Sequence, residues 1–190
     1  IEGLIIDLRN NGGGSLEEAI SLTGLFIPTG PVVQVRSTNG RVEILADQDP
    51  DMLYDGPLTV VVNRLSASAS EIFAGAIQDY GRGIVVGSQT FGKGTVQSLR
   101  PLRSGQLKIT QAKFYRISGD STQNKGVVPD IIFPSLFDNE KIGESALDEA
   151  MPWDAIRPTL FTSNKALQAE IPTLRKLHDK RVKNNPDFLY

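Results

Sequence analysis

Two stretches of this sequence carry side chains suited to covalent chemistry. The first is Asn63-Arg64-Leu65-Ser66-Ala67-Ser68-Ala69-Ser70-Glu71, where an apolar run gives way to helical spacing. Small residues crowd a strand-to-helix turn when the backbone must bend sharply. A hydroxyl there lies beside the free N–H groups of a helix N-terminus, where negative charge is favoured. This is the physics of a nucleophile elbow without its G-x-S-x-G spelling. The same serines would also serve simply as helix caps, which is the commoner use of serine at such a place. A serine nucleophile needs a base, and the single histidine, His178, sits among Arg175, Lys176, Asp179 and Lys180 on what reads as a solvated helix. Lysine remains. It accepts a proton only when neutral, the form that burial in low dielectric favours. Lys93 is the best candidate: it lies in Thr90-Phe91-Gly92-Lys93-Gly94, directly after the apolar run Ile84 to Gly87. Ser-Lys pairs are a known substitute for Ser-His-Asp.

Three further features bear on the site. Gly87 to Lys93 fits G-x-x-x-x-G-K, but a phosphate loop needs a hydroxyl residue next and then a helix, whereas Gly94 and a β-like Thr95-Val96-Gln97 follow. Asp79 falls near the C-terminal end of the helix that Ser68 opens, the unfavourable end of the dipole for a carboxylate. That placement calls for Arg82 or a buried lysine as its partner. Gly12-Gly13-Gly14 before a helix start could supply an N–H to an oxyanion, or could be a flexible turn.

The elements that must position these residues can be read from pattern. Leu4 to Leu8 is a short apolar strand. Ser15 and Glu18 form a capping box that opens a helix carrying Ala19, Ile20, Leu22 and Leu25. Val32 to Val35 and Val42 to Leu45 form a hairpin around Asn39-Gly40, followed by a loop from Asp47 to Gly56. Leu58 to Val62 reads as a doubly buried parallel strand, Ala69 to Tyr80 as a helix closed by Gly81, and Ile84 to Val86 as the next strand. Strand and helix alternate as in an α/β layer with right-handed crossovers. That topology brings Ser68 and Lys93 to one sheet edge, beyond the carboxyl ends of the strands. Val96 to Leu99, Leu107 to Tyr115 and Val127 to Phe133 are β-like. Asn139 to Ala150 and Asn164 to Val182 have helical periodicity around a Pro-containing link. The expected organisation is a core over 1–134 and a helical C-terminal extension over 135–190.

Composition narrows the classes. The 190 residues are 39% hydrophobic and 22% charged, ordinary globular usage. There is enough chain to bury roughly 70% of its unfolded surface. The formal net charge of −2 argues against nucleic acid or anionic lipid as the main partner. No apolar run approaches the length of a membrane span. Cysteine is absent, which excludes thiol catalysis, thiolate metal sites and disulfides. No cluster has metal-ligand spacing, so neither metal nor cofactor is expected. A first residue of Ile1 rather than Met, with a buried strand already at Leu4-Ile5-Ile6, reads as a piece of a longer protein.

Four ordered motifs make the sequence recognisable: Asp7-Leu8-Arg9-Asn10-Asn11-Gly12-Gly13-Gly14, Ser66-Ala67-Ser68-Ala69-Ser70-Glu71-Ile72-Phe73-Ala74, Phe91-Gly92-Lys93-Gly94, and Lys125-Gly126-Val127-Val128-Pro129-Asp130. Together they resemble the carboxy-terminal processing peptidases. Gly24 to Pro28, Gln78 to Arg82 and the tail from Met151 resemble the long, periplasmic bacterial branch of that family. The resemblance implies a crotonase- and ClpP-like α/β protease core with additional strands. It implies a serine endopeptidase acting on proteins recognised by apolar C-terminal tails, with an adaptor protein as a possible partner. Residue by residue it makes Ser68 the nucleophile and Lys93 the general base. Asp79 and Gln97 become supports for the lysine, and Gly14, with Gly13 beside it, and Ala69 become the oxyanion hole. It also implies an upstream PDZ domain, and therefore little activity for this segment alone. Two rivals remain: a crotonase-like acyl-CoA enzyme, and a catalytically idle assembly module.

Overall fold

A computed structural model describes residues 1–188 as two four-stranded sheets built around one nearly engulfed helix. Strands β1 (Leu4–Asp7), β4 (Leu58–Val62), β5 (Ile84–Gly87) and β8 (Ile131–Ile132) lie in that order, all parallel. Strands β3 (Val42–Asp47), β2 (Gly30–Ser37), β7 (Gln106–Tyr115) and β6 (Thr95–Pro101) form the second sheet, all antiparallel. The first sheet is the α/β layer read from the pattern, with helices α1 (Leu16–Gly24) and α2 (Ala69–Tyr80) supplied by its connections. The mixed architecture with a helical C-terminal part is the one expected.

Helix α2 joins the two layers because it carries apolar residues on two opposite faces. Every residue from Ser70 to Ile77 is buried. Phe73, Ala74 and Ile77 pack into the parallel sheet with Leu58, Val60, Val62 and Val85. Ile72 and Ala76 face the other way, onto Ile27, Val32, Val33 and Phe114. A helix held on two faces fixes the position of its first residue, and its N-cap is Ser68.

The C-terminal part departs from the pattern reading. Asn139 to Ala150 is not a helix; only a single 3₁₀ turn, Glu144–Ala146, forms there. The reason is tertiary. The buried Arg64 guanidinium draws the carbonyls of Asn139 and Ile142 to itself, and Gly143 sits against it at φ +135°. Strand β8 is two residues long rather than running from Val127 to Phe133. Helix α3 (Lys165–Val182) forms as expected, but His178 is buried rather than solvated, stacked 5.1 Å from the Phe133 ring and in contact with Arg181.

Candidate active site

Three serines share the turn before α2, and their partners separate them. Ser66, fully buried, donates to the Leu8 carbonyl at 2.7 Å and accepts from the Asn63 N–H at 3.0 Å. Ser70 donates to the Asn11 carbonyl at 3.0 Å. These two stitch the turn to the Asn10-Asn11 loop, helped by the Ala67 N–H on Asn11 O and by an Asn63–Asn10 side-chain bond. Ser68 stands apart. It is half-buried and its backbone is left-handed, at φ 58° and ψ −115°. A non-glycine residue held there costs about 1–3 kcal/mol and persists only where its surroundings over-determine it.

Glu71 supplies that over-determination. Its side chain is fully buried and accepts four hydrogen bonds: the Ser68 N–H (2.8 Å) and Lys93 N–H (3.0 Å) on Oε2, the Gly92 N–H (2.7 Å) and Thr90 hydroxyl (2.5 Å) on Oε1. One carboxylate therefore ties the turn carrying Ser68 to the turn carrying Lys93. Burial pushes the Glu71 carboxyl up to about 7, against the four donors that favour its ionised form.

The Lys93 turn is irregular backbone with every polar group paired, as buried backbone requires. The N–H groups of Thr90, Phe91 and Gly94 go to Val127 O, Ser66 O and Gln123 Oε1, and those of Gly92 and Lys93 to Glu71. The carbonyls are taken in turn by Arg64, Glu144 N–H, Asn124 N–H, the Thr122 hydroxyl and Phe114 N–H. A Cβ at Gly92 would lie 2.9 Å from Asn124 C, and one at Gly94 2.7 Å from Gln123 N, so only glycine fits on either side of the lysine. Burial, and then the positive charge of Lys108, lower the Lys93 pKa; the charges of Glu144 and Glu71 oppose that shift.

Gly14, Ser68, Ala69, Lys93 and Gln97 line one cleft of about 230 Å³, together with the apolar Leu16, Ile72, Val96 and Phe114. Among the described residues no hydrogen bond occupies the N–H of Gly14 or Ala69, two residues that line the cleft. Gly13 lies directly under the Ser68 turn: at φ +98°, a Cβ there would meet Ala67 O at 2.6 Å and Ser68 Cβ at 2.8 Å. The Lys93 amine and the Ser68 hydroxyl share the cleft without a direct hydrogen bond. Gln97 is exposed; its amide nitrogen donates to Thr110 Oγ1 at 3.2 Å, and among the described residues no hydrogen bond joins its side chain to Lys93.

Asp79 is not brought to Lys93. It is paired with Arg116 at the far end of α2, where the guanidinium donates to both carboxylate oxygens and also to the carbonyl of Gly75 and the side chain of Gln78. Arg82, its other expected partner, donates instead to the carbonyls of Phe26, Gly56 and Tyr54. The pattern reading also missed Glu71, Thr90, Arg64 and Gln123 as builders of the site. A glutamate three residues after a serine signals a capping box, but nothing in spacing shows that its side chain also reaches a second turn.

Comparison with known proteins follows the same lines. Residues 1–133 match peptidase family S41, and residues 137–190 match the C-terminal domain of tail specific protease. A tail-specific protease of Haemophilus influenzae is 46% identical over 99% of this chain and 29% of its own length. A carboxy-terminal-processing protease of Bartonella bacilliformis is 42% identical over 70% of this chain and 31% of its own. The chain thus spans about three tenths of the length of these relatives. Among solved structures, the photosystem II D1 C-terminal processing protease superposes with a TM-score of 0.64 at 34% identity, covering 74% of this chain and 36% of that one. Mature CPAF shares the fold, with a TM-score of 0.61 at 18% identity over 98% of this chain and 45% of its own.

Proposed function

The chain belongs to peptidase family S41, and on that premise we propose that it is the catalytic part of a serine endopeptidase that processes proteins from their C-terminal tails, with Ser68 as nucleophile and Lys93 as general base. The observation that carries the reading is the cleft. A serine on strained backbone, a lysine lowered by burial and two residues with unoccupied N–H groups all line one space. Neutral Lys93 takes the Ser68 proton as Oγ attacks the scissile carbonyl. The N–H groups of Ala69 and Gly14 receive the oxyanion, a contribution of about 3–4 kcal/mol per donor. The lysine ammonium then returns the proton to the leaving amine. Water attacks the acyl-enzyme through the same lysine, releasing the new C-terminus and restoring Ser68.

Leu16, Ile72, Val96 and Phe114 give the cleft an apolar lining suited to an uncharged side chain next to the cleaved bond. Substrates with apolar tails, an adaptor protein and a periplasmic location all belong to this reading of the whole protein. No helix among the described residues is long and apolar enough to cross a membrane. The family match does not favour the acyl-CoA alternative. Ser68→Ala and Lys93→Ala in the full-length protein should each lower kcat by several orders of magnitude with folding preserved, and a serine-directed phosphonate should label only the wild type. Near-normal turnover by Lys93→Ala would remove the base from the scheme.

A further inference from the structure

We propose that Glu144, in the segment that follows the protease core, is a positioning residue for the base, acting through Gln123 on Gly94 and through its own backbone on Phe91. The inference rests on the reading of Lys93 as that base. Gly94 is the residue after Lys93, and its N–H donates to Gln123 Oε1 at 3.0 Å. The side chain of Gln123 is fully buried and has two ends; its Nε2 donates to Glu144 Oε1 at 3.1 Å and, more weakly, to Asn124 Oδ1 at 3.4 Å. Glu144 therefore fixes which way the Gln123 amide points, and hence that an oxygen rather than an NH₂ meets Gly94. The Glu144 N–H also donates to Phe91 O at 3.0 Å, holding the turn on the other side of the lysine.

The neighbouring residues reinforce this contact. Arg64 is fully buried; one of its nitrogens takes Thr90 O, and the others take Ile142 O and Asn139 O. The segment from 139 to 144 is thus bonded to the base-bearing turn at Thr90, Phe91 and Gly94, although it lies beyond the stretch that matches the peptidase family. Misplacing a reacting group by about 1 Å can cost on the order of a hundredfold in rate. A residue that never touches substrate can therefore control turnover.

The test measures kcat and KM in the full-length protein on an internally quenched peptide ending in apolar residues. Glu144→Ala should lower kcat about tenfold or more and leave KM within about twofold. Glu144→Gln, whose amide oxygen can still accept from Gln123, should recover most of that loss. The charged groups that bear on Lys93 are Glu71 on α2, Lys108 on β7 and Glu144. Removing the last as a charge should move the acid limb of the kcat/KM profile to lower pH in Glu144→Gln, and this arm decides even where Glu144→Ala does not fold. Wild-type kcat in Glu144→Ala, a Gln variant as poor as the Ala variant, or an unmoved acid limb would each overturn the proposal. Lys93→Ala is assayed alongside: its survival would refute the base itself, whereas its loss beside a normal Glu144→Ala would refute only the positioning role.

Discussion

Replacing Glu71 with glutamine keeps the volume of the side chain that joins the two catalytic turns and removes one of its acceptor atoms. The carboxylate satisfies three backbone N–H groups and one hydroxyl. With the amide nitrogen in place of Oε2, the Ser68 and Lys93 N–H groups both face a donor. With it in place of Oε1, the Gly92 N–H and the Thr90 O–H both do, the Thr90 oxygen already accepting from Val127 N–H at 2.7 Å. Each stranded buried donor costs about 1–3 kcal/mol, so either orientation of the amide loses about 2–6 kcal/mol. In a domain of this size each kcal/mol lowers Tm by about 2–4 °C. Glu71→Gln should therefore melt several degrees below wild type near pH 5, and the gap should narrow towards pH 8, because a carboxyl pushed up from 4.5 to about 7 loses folded stability as it ionises. Turnover should fall by more than the folded fraction accounts for, because the same bonds hold Ser68 in its left-handed backbone. Calorimetry with phosphonate labelling kinetics on the folded protein measures both. An unchanged Tm together with unchanged labelling would refute the idea that this carboxylate holds nucleophile and base together.

Four other outcomes follow from the same geometry. Lys93→Met should be inactive yet melt above wild type at neutral pH: a lysine whose folded pKa is lowered loses stability as pH falls from 10.5 towards that value, so the gain should shrink as pH is raised to 10.5. For the same reason wild-type activity should rise with pH through the lowered pKa, and a flat profile from about pH 6 to 9 would contradict a lysine base. Gly13→Ala should slow labelling of Ser68 and lower stability by about 1–3 kcal/mol, since the new methyl group meets Ser68 Cβ at 2.8 Å on a φ of +98°. Asp79→Ala should cost about 3–5 kcal/mol, the usual effect of breaking a buried pair, and the double variant with Arg116→Ala should be little worse than either single one.

Local pattern revealed the elements that local forces decide. β4 and α2 fall at the boundaries that β-branched residues, the serine turn and Gly81 imply. The cleft gathers Gly14, Ser68, Ala69 and Lys93 because parallel strands and their helical connections deliver these turns to one sheet edge, and Gln97 joins them from β6 of the antiparallel sheet. What the pattern could not show depends on partners distant in sequence. The helical spacing over Asn139 to Ala150 yields to a buried guanidinium that needs carbonyls more than the chain needs a helix. Asp79 sits where a helix end disfavours it, and the relief comes from Arg116, 37 residues away, rather than from the nearby Arg82. Glu71 hid inside an ordinary capping signature.

The backbone of Ser68 implies an evolutionary pressure as well as a mechanism. Glycine would occupy φ 58° and ψ −115° without the steric penalty a serine incurs there. The fold would thus become sturdier by losing its nucleophile, just as it would by exchanging its partially dehydrated amine for a thioether. In a lineage freed from the need to cut proteins, selection for stability alone would favour silent, heat-resistant descendants. Where both side chains are kept, selection on catalysis must oppose that trend, and a glycine in that place would mark a descendant that has become a pseudoenzyme.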